Sequence, residues 1–240
     1  MNIITQSIFK NREAAALPDL VESGGLPALV SGLSAVHRAQ LASALRQRLG
    51  LPMLVLCPDD ASAESLKRDI ESMTGEDVIL LCARDFTFYQ TLAASRQSEQ
   101  RRLSALLALS EGKAGICVAT AAALMQRSVP KDVLSRSVCS LELSGSMPPD
   151  ELERRLVSGG YTRSDQVEGP GQFARRGGIL DFFSPAEDAP VRIEFWGDDV
   201  DSMGCFDVST QRRTEVLESC RILPAAETLV PATPEERAAL

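Results

Sequence analysis

The stretch that decides the fold of the second half of the chain is QFARRGGILDFFSPAEDAPVRIEFWGDDVDSM, residues 172–203. Within it, the run VRIEFW (191–196) alternates apolar residues with polar or aromatic ones. Side chains of a β-strand point alternately to its two faces, so the apolar set predicts one face packed on a core. The opposite face then carries Arg192, Glu194 and Trp196, and Trp196 is the only tryptophan of the chain.

The segments around this run predict a mainly antiparallel sheet and one helix. The helix is predicted over 148–160, with proline at its beginning and glycine at its end. Short runs rich in β-branched and aromatic residues, separated by turn residues, predict the strands. These runs are YTRSDQV, QFARRGGILDFFS, PVRIEFWGDD, VDSMGCFDVST and EVLESCRILPA. Residues 136–222 are therefore predicted to form a smaller α+β domain, followed by a tail, 223–240, without a domain of its own.

The first half alternates short apolar runs with helical patterns, which predicts an α/β domain over residues 1–135. The apolar strands are nearly continuous, which is typical of a parallel sheet covered on both faces. The predicted strands are 26–33, 52–58, DVILLCA and the first part of 115–126, which leads into a short helix. The predicted helices are 34–50, 59–75 (capped by Asp60 or Ser62) and 95–113, and the segment DFTFYQ is predicted to be an aromatic loop.

Composition excludes several classes of function. The chain has 240 residues, 44% of them hydrophobic and 24% charged, as in an ordinary globular protein. Its net charge of −8 argues against a general nucleic-acid binder, because that affinity comes from Lys and Arg displacing counterions. The six cysteines include no CxxC pair and predict buried thiols. Neither a signal peptide nor a membrane-spanning run is apparent, so a cytoplasmic protein without membrane contact is expected.

A phosphate-binding loop is expected between the first strand and helix of such a sheet, but its key residues are missing. Aligned with the pattern GxxxxGK[ST], Gly32 takes the first glycine, His37 the second, Arg38 the lysine and Ala39 the hydroxyl residue. Ala39 has no oxygen for Mg²⁺, and His37 has a side chain where the backbone must approach the phosphate. We therefore predict a P-loop-NTPase-like domain with a degenerate Walker A loop, no cofactor and no catalysis.

Other catalytic and metal-binding patterns are also weak. His37 is the only histidine of the chain, and its position in a polar helix start does not suit a Ser-His-Asp or Cys-His arrangement. The cluster GDDVD (197–201) is interpreted as a solvated hairpin turn rather than a cation site. Gly177 and Gly178 predict a bulge or a close backbone approach. The pairs Arg101–Arg102 and Arg154–Arg155 are interpreted as solvated helix faces.

Taken together, these features resemble the transcription-repair coupling factor family of bacterial nucleotide excision repair. The motif RRGGILDFFSP…PVRIEFWGDDVDSMGCFDVSTQRR resembles domain 2, which that family shares with the excinuclease protein UvrB. The helix DELERRLVSGG and the segment ATAAALMQR match in order and spacing. UvrB keeps an intact Walker A loop and inserts a DNA-gripping hairpin, for which DFTFYQTLAASRQSEQRRLSALL leaves no room. The resemblance therefore implies an N-terminal module, with domain 1A, domain 2 and the beginning of domain 1B.

In that family domain 2 docks onto the excinuclease protein UvrA through two arginines and an aromatic residue. By motif position these are Arg176, Arg192 and Trp196. Arg175, Glu194 and Asp181 are weaker candidates, interpreted as neighbours that orient the arginines. Arg192 points away from the predicted core face, so its truncation is expected to leave the fold intact. The resemblance implies a non-catalytic module that recruits UvrA in transcription-coupled repair, with RNA polymerase and DNA bound only through regions absent from this chain.

Three alternatives stay open from the sequence. The chain could be an ATP-dependent, helicase-like protein of the UvrB type, which nucleotide binding would reveal. It could also be an α/β domain that binds a small ligand at the carboxyl edge of its sheet. A third alternative is structural: a surface Arg–Glu pair, with Trp196 half-buried at the edge of a sheet.

Overall fold

The structure is a computed structural model that describes residues 3–84, 92–113, 115–185 and 187–227. The chain divides into two compact units, one formed by Met1–Ala83 with Glu111–Gln126 and the other by Arg84–Ser110 with Arg127–Leu240. The predicted aromatic loop DFTFYQ and most of the tail, 228–240, lie outside the described residues. The domain boundaries near residues 135 and 222 stay predictions.

The elements are numbered in chain order. The helices are α1 (Ile3–Ser7), α2 (Arg12–Ala15), α3 (Leu17–Glu22), α4 (Ala35–Leu49), α5 (Asp60–Thr74), α6 (Leu92–Ser110), α7 (Ala121–Met125), α8 (Lys131–Ser137) and α9 (Pro149–Ser158), and a 3-10 helix covers Ile8–Lys10. The strands are β1 (Met53–Cys57), β2 (Val78–Leu81), β3 (Ile116–Thr120), β4 (Cys139–Glu142), β5 (Thr162–Arg163), β6 (Gln172–Arg176), β7 (Ile179–Phe182), β8 (Val191–Trp196), β9 (Asp199–Phe206), β10 (Arg213–Val216) and β11 (Ser219–Ile222).

The first unit contains a three-stranded parallel sheet in the order β1-β3-β2, as the alternation of strands and helices predicts. Buried Ala63 and Ile70 of α5 belong to the same core cluster as Ile116 and Val118 of the central strand. The other face is not covered everywhere. Leu54 and Leu56 of β1 are each 55% exposed. The prediction of a sheet covered on both faces is therefore wrong at this strand.

Two helices of the first unit end where the sequence predicts. Gly50 and Gly75 take the left-handed conformation that closes α4 and α5, with φ of 67° and 71°. The N-cap of α5 is Asp59 rather than the predicted Asp60 or Ser62. Asp59 is extended and its side chain accepts a hydrogen bond from the backbone N–H of Ser62 at 2.7 Å.

The predicted first strand, residues 26–33, is wrong. This segment is irregular and Leu29 is 95% exposed. Pro27 has no N–H to donate to a strand ladder, and Gly32, with φ of 79°, interrupts an extended backbone. Without that strand, the described residues do not contain the strand–loop–helix unit on which the P-loop-like interpretation depends.

The second unit is built on a six-stranded sheet in the order β10-β9-β8-β7-β6-β5, in which only β5 and β6 pair in parallel. A separate two-stranded ladder joins β4 and β11. Leu152 and Leu156 of α9 share one core cluster with the inner face of the sheet, which includes Leu180, Ile193 and Met203. The prediction of a mainly antiparallel α+β region is confirmed.

Helix α6 belongs to the second unit, although the sequence places its segment in the first domain. Leu103 and Leu107 of this helix cluster with Leu134 of α8 and with Leu223. The prediction of a solvated arginine pair on α6 holds for Arg101 and is wrong for Arg102. The Arg102 side chain is 0% exposed, and its Nε lies 2.9 Å from Glu227 Oε1. A charge is tolerated there because its partner is buried with it.

Candidate partner-binding surface

Two tight hairpin turns mark one end of the outward face of the sheet. Gly177 and Gly178 join β6 to β7, and Gly197 with Asp198 joins β8 to β9. Gly177 and Gly197 have φ of 62° and 64°, which suits two-residue turns. A Cβ on Gly178 would lie 3.0 Å from the carbonyl oxygen of Phe195, so the predicted close backbone approach is confirmed.

The hairpin interpretation of GDDVD is also confirmed. Asp198, Asp199 and Asp201 are exposed in and beside the turn between β8 and β9. Among the described residues, no group of acidic, histidine or cysteine side chains could hold a metal ion.

A buried carboxylate lies in the middle of the outward face. Asp181 of β7 is paired directly with Arg192 of β8 in the strand register, and it is 1% exposed. The Nε of Arg192 donates to Asp181 Oδ1 at 2.7 Å, and its Nη2 donates to Oδ2 at 2.8 Å. This two-point pairing is the geometry in which a guanidinium binds a carboxylate most strongly.

Arg192 is held by further contacts. Its Cζ lies 4.7 Å above the centre of the Phe206 ring, and its Nη1 donates to the carbonyl oxygen of Gln211 at 3.2 Å. The hydrogen bonds to Asp181 raise the pKa of the Arg192 guanidinium. The Arg192 side chain is only 18% exposed. It lies on the predicted face, but the expectation that its truncation would leave the fold intact has to be revised.

Arg176 shares the same carboxylate from the other side. Its Nη2 donates to Asp181 Oδ2 at 3.0 Å, while its side chain remains 55% exposed. Ile179 pairs with Arg176 on one side and with Glu194 on the other, and it is exposed as well. The structure thus brings Arg176 and Arg192 together through one buried aspartate.

Trp196 is 82% exposed at the turn end of β8. The half-buried tryptophan of the structural alternative is therefore not found. A surface Arg–Glu pair is present, formed by Glu194 with Arg213. The Glu194 carboxylate accepts hydrogen bonds from Ser202 at 2.9 Å and from Arg213 at 3.2 Å.

Arg175 lies on the opposite face from these residues. It pairs with Asp150, and its Nη1 donates to Glu153 Oε2 at 3.0 Å, both on α9. The hydrogen bond from Arg175 lowers the pKa of Asp150 below its ordinary value. The structure therefore separates Arg175 from Arg176, although the two are adjacent in sequence, because neighbouring residues of a strand face opposite sides.

The residues of the predicted degenerate loop surround the beginning of α4 in the first unit. Ser34 caps this helix, and its Oγ lies 3.0 Å from Nδ1 of exposed His37. Gly32 lies in the irregular segment before it, Arg38 is exposed, and Ala39 is fully buried in the core. The cap explains the helix start without any bound phosphate.

Sequence reasoning gave Asp181 only a minor place and missed Ile179, Phe206 and Gln211. A signal for Asp181 was present in the run ILDFF, where one carboxylate stands among apolar residues of a strand. A buried carboxylate requires a paired cation, and that requirement points to the arginines on the neighbouring strands. Gln211 offered no such signal, because its contact with Arg192 depends on the folded loop before β10.

The comparisons with known proteins first define a class of domain. Residues 139–227, which contain the whole surface described above, match the family model of the UvrB interaction domain. Within the described residues, no helix has both the length and the apolar character needed to cross a membrane.

The particular resemblance is to bacterial transcription-repair-coupling factors, which confirms the expectation from the motifs. The chain is 34% identical over 211 residues to that of Bacillus subtilis, covering 88% of this chain and 18% of the relative. It is 33% identical over 174 residues to that of Haemophilus influenzae, covering 72% and 15%. For the Escherichia coli protein the identity is 30% over 199 residues, covering 83% and 17%. The chain therefore spans less than a fifth of the length of these relatives.

Proposed function

We propose that this chain is a non-catalytic interaction module that recruits the excinuclease protein UvrA in transcription-coupled nucleotide excision repair. The match to the UvrB interaction domain and the similarity to transcription-repair-coupling factors support this role. The observation that carries the proposal is the exposed Trp196, on the same sheet face as Arg176 and Arg192.

The physical character of this face supports a protein partner. Trp196 is 82% exposed, so a partner that covers it removes a large apolar area from contact with water. Its ring system also brings a large rigid area to the interface. Tryptophan and arginine are also the residues that most often carry the binding energy of protein interfaces. We propose that Arg176, Arg192, Trp196 and Glu194 belong to the docking surface. Arg175, which faces α9, is not included.

Trp196→Ala is expected to weaken binding to purified UvrA by roughly thirtyfold, since truncating a central aromatic anchor costs about 2 kcal/mol. The melting temperature should stay within about 2 °C of the parent, because so exposed a side chain contributes little to packing. The measurement is a titration against UvrA at fixed salt, together with a thermal melt.

Val157→Ala is the matched control for this titration. Val157 is an exposed apolar residue of α9, on the other side of the sheet, so its truncation should leave UvrA affinity unchanged. Equal binding by the parent and by Trp196→Ala would contradict the proposed surface.

The same proposal predicts that the chain neither binds nor hydrolyses ATP. In the alignment with the Walker A pattern, Ala39 takes the position of the Mg²⁺-binding hydroxyl, but its side chain has no oxygen and is buried. A side chain also stands at the second glycine position, and the strand expected before this loop is not formed. Calorimetric titration with Mg-ATP should give no heat of binding, while an intact Walker A protein serves as the positive control. Magnesium-dependent binding in the micromolar range would favour the alternative of a UvrB-type enzyme.

A further inference from the structure

We propose that the two arginines of the docking surface have different roles, a proposal that rests on the proposed function for its binding measurements. Asp181 is the positioning residue for both arginines. Arg192 is the counter-ion that makes the burial of Asp181 tolerable. Arg176 is the arginine that contacts the partner, where it meets a carboxylate beside an apolar patch that receives Ile179 and Trp196.

Arg192 has little left to offer a partner. A guanidinium has five N–H donors. In the part of the chain that the structure describes, Arg192 directs two of them to Asp181, at 2.7 and 2.8 Å, and two to the carbonyl oxygen and Oε1 of Gln211, at 3.2 and 3.4 Å. One face of the group is also covered by the Phe206 ring. A partner could therefore reach Arg192 through a single N–H at most.

Arg192 contributes more to the stability of the fold, by compensating the charge of Asp181, than to contact with the partner. A carboxylate that is 1% exposed has lost its hydration, and removing its cation leaves an uncompensated buried charge. Arg176 supplies only one hydrogen bond to this carboxylate and is more than half exposed, so it cannot replace the two-point pairing. The stability of the second unit is therefore expected to depend on Arg192.

Arg176, unlike Arg192, is available for contact with a partner. Its Nη2 donates to Asp181 Oδ2, which orients the guanidinium, and its side chain is 55% exposed. Exposed Ile179 lies beside it in the strand register, and Trp196 follows on the next strand toward the turn. A directed cation next to an apolar strip fits a partner surface with a carboxylate adjoining an apolar patch.

The test applies the same substitution at both positions. Arg176→Gln should weaken binding to UvrA by about thirtyfold and leave the melting temperature within about 2 °C of the parent. Arg192→Gln should lower the melting temperature by about 10 °C. Asp181→Asn combined with Arg192→Gln removes both charges and should recover most of that loss. Measured well below its melting temperature, Arg192→Gln alone should lose clearly less UvrA affinity than Arg176→Gln, since it leaves the contact of Arg176 with Asp181 in place.

Several results would overturn the assignment. One is an Arg192→Gln variant that melts like the parent. Another is a folded Arg192→Gln variant that binds no better than Arg176→Gln, which would make Arg192 the contacting residue. A third is an Arg176→Gln variant that binds like the parent. If the parent itself fails to bind UvrA, the proposed function and the role of Arg176 both fail, while the melts still decide whether Arg192 is the counter-ion of Asp181.

Discussion

Ile193→Asp is expected to unfold the second unit of the chain. Ile193 is fully buried in the cluster that joins the inner face of the sheet to α9. A carboxylate placed there would lose its hydration without gaining a cation, at a cost of several kcal/mol on top of the lost apolar contacts. That total approaches the whole stability of an ordinary domain, about 5–15 kcal/mol. Circular dichroism and thermal melts should show loss of the cooperative transition of this unit.

Ile179→Asp is the matched control, with the same substitution on the neighbouring strand. Ile179 belongs to the outward face and is 36% exposed, so its aspartate keeps contact with water. Although Glu194 lies directly opposite it, the expected loss of stability is far smaller than that of Ile193→Asp. If Ile193→Asp melts like Ile179→Asp, the assignment of the two faces of the sheet is wrong.

Arg102→Met is expected to destabilise the second unit by about 3 kcal/mol. Arg102 and Glu227 are both buried, with Nε and Oε1 2.9 Å apart, and Arg102 Nη2 also donates to Ser128 Oγ at 2.8 Å. Removing the cation leaves a desolvated carboxylate, which Arg84 at 3.6 Å offsets only in part. Urea unfolding of the parent and the variant measures the difference.

The pH dependence of Arg102→Met gives an independent check. Burial raises the pKa of Glu227, and the charge of Arg102 lowers it, so the variant should raise that pKa further. A carboxyl group whose pKa is raised on folding stabilises the fold when protonated, and that stability is lost as the pH rises through the folded pKa. The defect of the variant should therefore shrink as the pH is lowered from neutral toward the ordinary pKa of a glutamate. Arg101→Met, at an exposed neighbouring position on α6, should show neither the destabilisation nor the pH dependence. A defect of Arg102→Met that does not change with pH would contradict the assignment of that defect to Glu227 losing its main cation.

Much of the second unit could be predicted because its signals are local. The alternation in VRIEFW assigns Ile193 to the core and Trp196 to the outer face, and the glycines at 177 and 197 mark hairpin turns. Both features depend on backbone geometry over a few residues, so they need no knowledge of distant parts of the chain. The same reasoning gave the parallel strands of the first unit and the glycines that end its helices.

Local signals misled where the outcome depends on a partner segment. The apolar run 26–33 has the composition of a strand, but a strand forms only where its backbone can pair, and Pro27 and Gly32 oppose this. Arg102 has the sequence context of a solvated helix position. Its burial results from Glu227, a residue far along the chain that brings the compensating charge.

The sequence by itself determined which side chains share a face of each strand, and with the family motif it singled out Arg176, Arg192 and Trp196. Only the tertiary structure decided how those three differ. Arg192 is held against the sheet by Asp181, Phe206 and Gln211, whereas the Arg176 side chain is more than half exposed and Trp196 is 82% exposed. The physical reason is that periodicity assigns a direction to a side chain, while its burial and its charge partners are set by residues that only folding brings beside it.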